Sequence, residues 1–536
     1  MLCEPIEEPG EAAFFFSRGP GTYRVPRTLH VTARAKLVAA LAAAGKTSGV
    51  VLLRGGIERC RDDTDHEEIF RQESYFAQLL GVVEAGCWAT IALPSAYTTL
   101  FIPNLHPSYA IWMGPIKSPA AFRTRYGVDA CRFVDDVQAA VGAADGPVYV
   151  LSGTNTDSDV NIADVLPTAD GVPPGAEVDT QTLYPIAANC RVLKSAEEVE
   201  LMRYTAWVSS CAHANVMRDT RPGMLEYQLE ALFLFHCAYH GGARHSAYTC
   251  ICACGPDSAV LHYGHAGAPN ERLLQPTDVA LLDMGCEYHF FASDITCSFP
   301  VGGLYTPDQR MVHEAVLDAQ YRILDAMRPG VSWSDMHTLM WRVILTHLTT
   351  AGLLVGEVDD MIAANLGYVF TPHGLGHLIG VDTHDVGGYL PHTPARSATP
   401  GLSKLRTARV LEAGMMLTVG PGCYFIDALL EPALEPGSPQ NRFLVPDVLQ
   451  RFRGTGGVRL EDVVVVTPDG VDNLTLCPRT VTEVEAVCRG GDWPPTADAA
   501  PWLQRRWYKL DKPTGTMVAD KSVRVDSVSF TTDADF

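Results

Sequence analysis

Positive charge is in short supply in this chain: 41 Lys and Arg stand against 62 Asp and Glu, a formal net charge of −21. A protein that binds a phosphate backbone needs a local excess of Lys and Arg, and no basic stripe is present, so nucleic acid is excluded as a partner. Long apolar runs are missing too. None approaches the ~18 residues that a membrane helix requires, which predicts no membrane partner. The start, MLCEPIEEPGEAAFFF, is acidic and has neither the basic nor the apolar region of a secretory signal. No internal repeat is found.

A disulfide framework is a further absence. The 15 cysteines are odd in number, scattered and often inside apolar runs, the pattern of reduced thiols in a cytoplasmic protein. Cys250, Cys252 and Cys254 alternate in TCICACG. Alternation places all three on one strand face, where packing explains them better than a zinc site.

A 47% hydrophobic and 19% charged composition is that of a globular protein, and 536 residues suffice for two domains with sizeable cores. The first part alternates a helical stretch, VTARAKLVAALAAAG, with the strands GVVLLRGG, CWATIAL, TTLFIP and PVYVLSG, which predicts an α/β domain over residues 1–190. TADGVPPGAEVD, at 168–179, reads as a long loop within it. Ser195, with Glu198 three residues on, signals the start of a helix, as do Pro222-Gly223 and Thr306-Pro307-Asp308-Gln309 further along. Residues 191–495 thus interleave long helices with strands in an α+β domain. Residues 496–536 turn polar and lose periodicity, which predicts an appendage with a composition prone to disorder.

Within the α+β domain, Asp283 ends the apolar strand VALLD, and the β-rich run HFFASDITCSF brings Asp294 back beside it. Glu461 lies in GGVRLEDVVVV. A period of two puts it on the face of Arg459 and Val463 and turns Asp462 away. His373 and His377 form HGLGH, which lacks the Glu of HExxH and carries two glycines, so a loop is expected there. His384 follows in HDVGG. Three carboxylates converging within ~4 Å would repel by about 4 kcal/mol per pair at an effective dielectric of 20, so such a cluster calls for cations. One imidazole and three carboxylates form a hard donor set suited first to Mn²⁺, then to Zn²⁺ or Co²⁺.

The stretches GVVLLRGG, FRQESYF, IWMG, GTNTDS, RHSAYTCIC, AVLHYGHAGAPN and LQRFRGTGGVRLED resemble the eukaryotic prolidases. These are the Xaa-Pro dipeptidases among the pita-bread metallopeptidases, which also include aminopeptidase P and methionine aminopeptidase. The resemblance implies an aminopeptidase P/prolidase-type N-terminal domain and a pita-bread catalytic domain of the creatinase/aminopeptidase kind. It further implies two Mn²⁺ sites with Asp283, Asp294, His377 and Glu461 as metal ligands, Asp294 and Glu461 bridging. His262, His373, His384 and Arg406 correspond to the catalytic set. Tyr248, His262, His384, Arg406 and Arg459 correspond to the substrate-binding set, with Arg406 meeting the dipeptide's terminal carboxylate. A homodimer is implied by resemblance alone.

Two places depart from the family pattern: LEDVVVV replaces a more acidic run after Glu461, and TVGPGCY has Gly420 where the pattern TVEPGxY supplies a Glu ligand. Losing that charge should leave one ion held firmly and the other poorly, with the loss falling on the His377 side. Cys423 is a nearby alternative thiolate. Three functions follow: a cytoplasmic Xaa-Pro dipeptidase, an impaired or inactive homologue that binds peptides or a dimer partner, and a metal-free hydrolase like creatinase.

Overall fold

The computed structural model describes residues 14–265 and 269–524. Three stretches used in the sequence reading lie outside the described residues: the acidic start at 1–13, residues 266–268 of AVLHYGHAGAPN, and the end of the appendage at 525–536. The chain divides between Glu198 and Val199 into two compact units, with Gly19–Tyr23 belonging to the second. The sequence had suggested a boundary at 190/191.

The first unit is built on one six-stranded sheet. Its strands are β1 (Val50–Arg54), β2 (Trp88–Ala92), β3 (Thr98–Ile102), β4 (Ala130–Phe133), β5 (Val148–Val150) and β6 (Val178–Asp179), in the order β4-β3-β2-β1-β5-β6. β1 pairs antiparallel with β2 and parallel with β5. Its four apolar residues Val50 to Leu53 are all buried, as a central strand covered on both faces requires. Helix α1 (Thr28–Ala43) buries Leu29, Leu37 and Leu41 along one side. The segment read as a loop at 168–179 is only partly one, because Val178 pairs with Val148 and closes the sheet as β6.

The second unit has four long helices: α2 (Ala196–Asp219), α3 (Glu226–Gly241), α4 (Pro307–Ala326) and α5 (Trp333–Thr350). Two of the three start signals form side-chain caps, whereas α3 starts at Glu226, past Pro222-Gly223, with Leu225 as its N-cap. Ser195 N–H donates to Glu198 Oε2 at 2.8 Å while Glu198 N–H donates to Ser195 Oγ at 3.2 Å, and Thr306 and Gln309 repeat the arrangement on α4. Between the helices lie small antiparallel sheets. β7 (Ile251–Cys254), β8 (Val279–Asp283) and β9 (Thr296–Pro300) make one, with β8 central. β10 (Met416–Val419), β13 (Asp462–Val466) and β14 (Val471–Asn473) make another, and β11 (Gly422–Tyr424) pairs with β12 (Gly457–Arg459) in a ribbon. Two isolated bridges, Thr296 with Glu461 and Leu378 with Leu417, stitch these pieces together. This is the predicted α+β arrangement.

The described part of the C-terminal segment is folded, which corrects the expectation drawn from its composition. Residues Tyr508–Asp511 (β15) and Thr516–Ala519 (β16) form a hairpin. Leu503 and Trp507 are buried, and the Arg505 guanidinium joins Glu483 at 2.7 Å and Asp498 at 2.5 Å. A few large side chains anchor it, so hydrophobic periodicity gave no warning. Among the described residues no helix is long and apolar enough to cross a membrane.

Candidate metal centre

Each acid of the centre is delivered by backbone pairing. Asp283 is the last residue of β8 and sits opposite Ile251 and Thr296. Asp294 lies two residues before Thr296, in the short irregular segment leading into β9. Glu461 bridges to Thr296, exchanging backbone hydrogen bonds of 3.1 and 3.2 Å. His377 is held on a loop, as expected for HGLGH: its N–H donates to Thr418 Oγ1 at 3.2 Å and its carbonyl accepts from Thr418 N at 2.9 Å. A Cβ on Gly376 would lie 2.0 Å from the Thr418 carbonyl oxygen, so this motif glycine serves close backbone approach.

The four candidate ligands are all buried, and Asp294, His377 and Glu461 present donor atoms within 4.8 Å of one another. His377 Nδ1–H donates to the Leu378 carbonyl at 3.0 Å, which fixes the tautomer and aims the Nε2 lone pair outward. That Nε2 faces Asp294 Oδ2 at 3.1 Å. A lone pair against a carboxylate is repulsive unless a proton or a metal ion stands between them. Tyr248 shows the same shortage of cations: its single hydroxyl proton serves Asp283 Oδ1 at 2.6 Å and Asp294 Oδ1 at 2.8 Å. Burial, then Asp294 and Asp283, push the Glu461 carboxyl well above the ordinary range. Burial works to raise Asp294 as well, but a cation in contact with it on the His377 side, whether a proton on Nε2 or a metal ion in its place, holds it below its ordinary value. The donor set therefore fits a divalent cation.

Asp283 differs from the other three. Arg459 Nη2 donates to its Oδ2 at 2.7 Å, so both carboxylate oxygens already have partners. Arg459 also gives Nη1 to the Tyr424 hydroxyl at 2.8 Å and Nε to Thr296 Oγ1 at 3.2 Å. Tyr424 in turn donates to His373 Nε2 at 2.9 Å, while His373 Nδ1–H donates to the Gly374 carbonyl at 2.8 Å. Burial, the Arg459 charge and other neighbours lower His373 to about 3, so the ring is neutral. Glu461 and Arg459 share a face, with Arg459 Nε 3.8 Å from Glu461 Oε2. Asp462 turns the other way onto Arg479 at 2.5 Å, as the period of two predicted.

His384 stacks edge-on to His377, ring centroids 4.5 Å apart. Although it keeps solvent contact, desolvation and the adjacent His377 and Arg406 lower its proton affinity. His262, also at the surface, is lowered by desolvation, Arg406 and Arg459. The Arg406 charge thus acts on three imidazoles, and its buried Nε has no hydrogen-bond partner. Among the described residues no carboxylate is paired with it.

Three participants escaped the sequence reading: Tyr424, Thr296 and Thr418. Tyr424 was within reach, since alternation along β11 puts it on one face and Cys423 on the other. The same alternation removes Cys423 as a ligand. It points away from the face that Tyr424 presents to Arg459, and burial pushes its thiol up to about 12.

Gly420 is free of backbone strain but not of neighbours. Its φ lies outside the left-handed region, and a Cβ there would meet Glu461 Cδ at 2.5 Å, Oε1 at 2.7 Å and Oε2 at 2.8 Å. The Glu461 carboxylate fills the space that a side chain at position 420 would occupy.

Comparison with known proteins agrees with this geometry. The model of metallopeptidase family M24 matches residues 200–468, and that of the aminopeptidase P N-terminal domain matches residues 30–146. The Xaa-Pro dipeptidase of Homo sapiens is 48% identical over 480 residues, covering 89% of this chain and 96% of its own; that of Rattus norvegicus is 47% identical over the same shares. Among solved structures, the Pseudomonas aeruginosa aminopeptidase PepP superposes with a TM-score of 0.71 at 31% identity, covering 87% of this chain and 99% of its own. A zinc-substituted Escherichia coli aminopeptidase P in complex with product gives a TM-score of 0.68 at 28% identity, covering 87% and 98%. By its fold, its buried acid cluster and matches along most of its length, the chain belongs to metallopeptidase family M24, with the pita-bread catalytic domain and an aminopeptidase P-type N-terminal domain.

Proposed function

We propose that this protein is a metal-dependent Xaa-Pro dipeptidase that releases proline from dipeptides, working in the cytoplasm as a homodimer with Mn²⁺. The observation that carries the reading is the convergence of Asp294, His377 and Glu461 within 4.8 Å beside an Arg406 with no acid partner. Oxygen-rich donors with one imidazole favour manganese over softer ions. A divalent ion held there supplies Lewis acidity and brings the pKa of a water towards ~7.

This chain's own residues account for the rest. Arg406 offers a guanidinium fork to the terminal carboxylate of the dipeptide, which favours dipeptides over longer peptides. His262 and His384, neutral beside Arg406, each keep one N–H that would hydrogen-bond the scissile amide and the oxyanion formed from it, while the proton for the leaving proline nitrogen comes from the attacking water. His373 is fixed from behind by the Arg459–Tyr424 chain, so its Nδ1-protonated form is set before substrate arrives. Tyr248 and Arg459 orient the two aspartates. The fourteen described cysteines are all free, in keeping with a reducing compartment.

Purified protein supplied with Mn²⁺ should release free proline from Gly-Pro, faster than it cleaves Gly-Pro-Gly. No release above background would end this reading. One observation favours a second reading, a homologue that would bind peptides without cleaving them: Glu461 occupies the room at Gly420, where the family pattern has a ligand. Under that reading Gly-Pro binds without turnover, and Gly420→Glu starts proline release.

A further inference from the structure

The number and seat of the metal ions can be taken further, on the basis of the metallopeptidase reading above. Two features of the centre point the same way. The first is how its acids are already partnered. Asp283 has Arg459 at 2.7 Å and Tyr248 at 2.6 Å on its two oxygens, an ion pair with both members buried. By contrast, Asp294 has no guanidinium, only the neutral Tyr248 hydroxyl at 2.8 Å and His377 Nε2 at 3.1 Å, and Glu461 Oε2 stands 3.8 Å from Arg459 Nε; with His377 these donor atoms lie within 4.8 Å of one another. The second is charge. Three carboxylates and the Arg459 guanidinium leave a net charge of −2, which one dication cancels. A second dication would leave a buried pocket with positive charge that hydroxide only halves, and desolvation penalises that heavily.

Gly420 belongs to the same argument. Its backbone would accept an L-residue, so no local geometry demands glycine there. An acid at 420 would restore the charge for a second ion and would have to displace Glu461, the flexible end of a side chain. We infer that this centre holds one divalent ion, seated between Asp294, His377 and Glu461, and that Asp283 serves Arg459 in place of a second ion. This reverses the expectation from sequence that the His377 side is the weaker one.

The test titrates full-length, chelator-treated protein with MnCl₂ by calorimetry and follows it by electron paramagnetic resonance after unbound ion is removed. The inference expects one tight equivalent per chain and the spectrum of an isolated ion. Two tight equivalents, or the multiline signal of a spin-coupled pair, would overturn it, as would no binding at all. His377→Ala should weaken the tight equivalent at least tenfold, whereas Asp283→Asn should leave it within about threefold; the opposite ranking would overturn the seat. Gly420→Glu should give two equivalents and spin coupling, and Gly420→Gln, of similar size without the charge, should keep one. Thermal melting of each variant separates lost binding from lost folding, and the wild-type count is decisive without any variant. Proline release is scored separately. One ion without hydrolysis sinks the dipeptidase reading and keeps this one, and two ions with hydrolysis do the reverse.

Discussion

Tyr424 shows how one hydroxyl can organise a site. It accepts from Arg459 and donates to His373, so its removal leaves two buried groups short of a partner. Tyr424→Phe should cost about 1–3 kcal/mol of stability, read as a lower midpoint in urea. It should also reduce kcat on Gly-Pro more than it changes KM, because the dipeptide carboxylate is bound elsewhere. Arg406 predicts the opposite split. If it pairs the terminal carboxylate, Arg406→Ala forfeits a charge-assisted contact worth about 1.5–3 kcal/mol, raising KM for Gly-Pro roughly 10- to 100-fold. Glycyl-prolinamide, which lacks the carboxylate, should be insensitive to the same change. An equal KM rise with both substrates would show that Arg406 does not read that group.

At the scale of elements, much of the molecule was legible because local rules governed it. The caps at Ser195 and Thr306, the buried strand Val50–Arg54 and the placement of Glu461 rather than Asp462 toward the centre all follow from spacing. Thr306→Ala removes a side-chain cap whose Oγ1 accepts from Gln309 N at 3.3 Å. It should lower stability by about 1 kcal/mol without altering metal binding, a difference that urea titration with and without Mn²⁺ resolves. What sequence could not give was pairing between distant elements. Asp283 and Arg459 lie 176 positions apart, and nothing in either motif says that they meet. The filling of the Gly420 space by Glu461 is equally a product of tertiary approach, where the Thr296 bridge brings the end of β12 alongside the segment leading into β9. The departure at Gly420 was visible in the chain; its structural consequence was not.

At the scale of the whole molecule, the C-terminal segment and the buried histidines bear on stability. The C-terminal segment supplies Arg505 to Glu483 and Asp498, buries Trp507 and hydrogen-bonds Trp507 Nε1 to Asp498 Oδ2 at 2.9 Å. Truncation after residue 495 strips Glu483 of a buried cation and uncovers apolar area, so the shortened protein should melt lower than the full chain by several degrees or collect in inclusion bodies. Equal melting temperatures would show that the segment is dispensable.

Buried histidines set the response of the molecule to acid. Burial lowers His30 and His313 to about 4 and His337 to about 3 from an ordinary 6.5. Each ring is then neutral in the folded chain, and His30 keeps its Nδ1–H on the Gln78 carbonyl at 2.7 Å. Between about 4 and 6.5 the unfolded chain binds protons that the folded one refuses, so stability rises with pH across that window. The full contribution is present above about 6.5 and is lost as pH falls toward 4. At about 1.4 kcal/mol per pH unit, the His30 interval alone amounts to about 3 kcal/mol, and relaxation around the ring will reduce that figure. The thermal midpoint should therefore be flat from pH 8 to 7 and fall steeply from pH 6 to 4.5. His30→Gln, which retains a donor for the Gln78 carbonyl but does not titrate, should lower the midpoint at pH 7 and shrink the acid-induced drop. A midpoint that stays level down to pH 4.5 would mean that these rings take up protons without leaving the core.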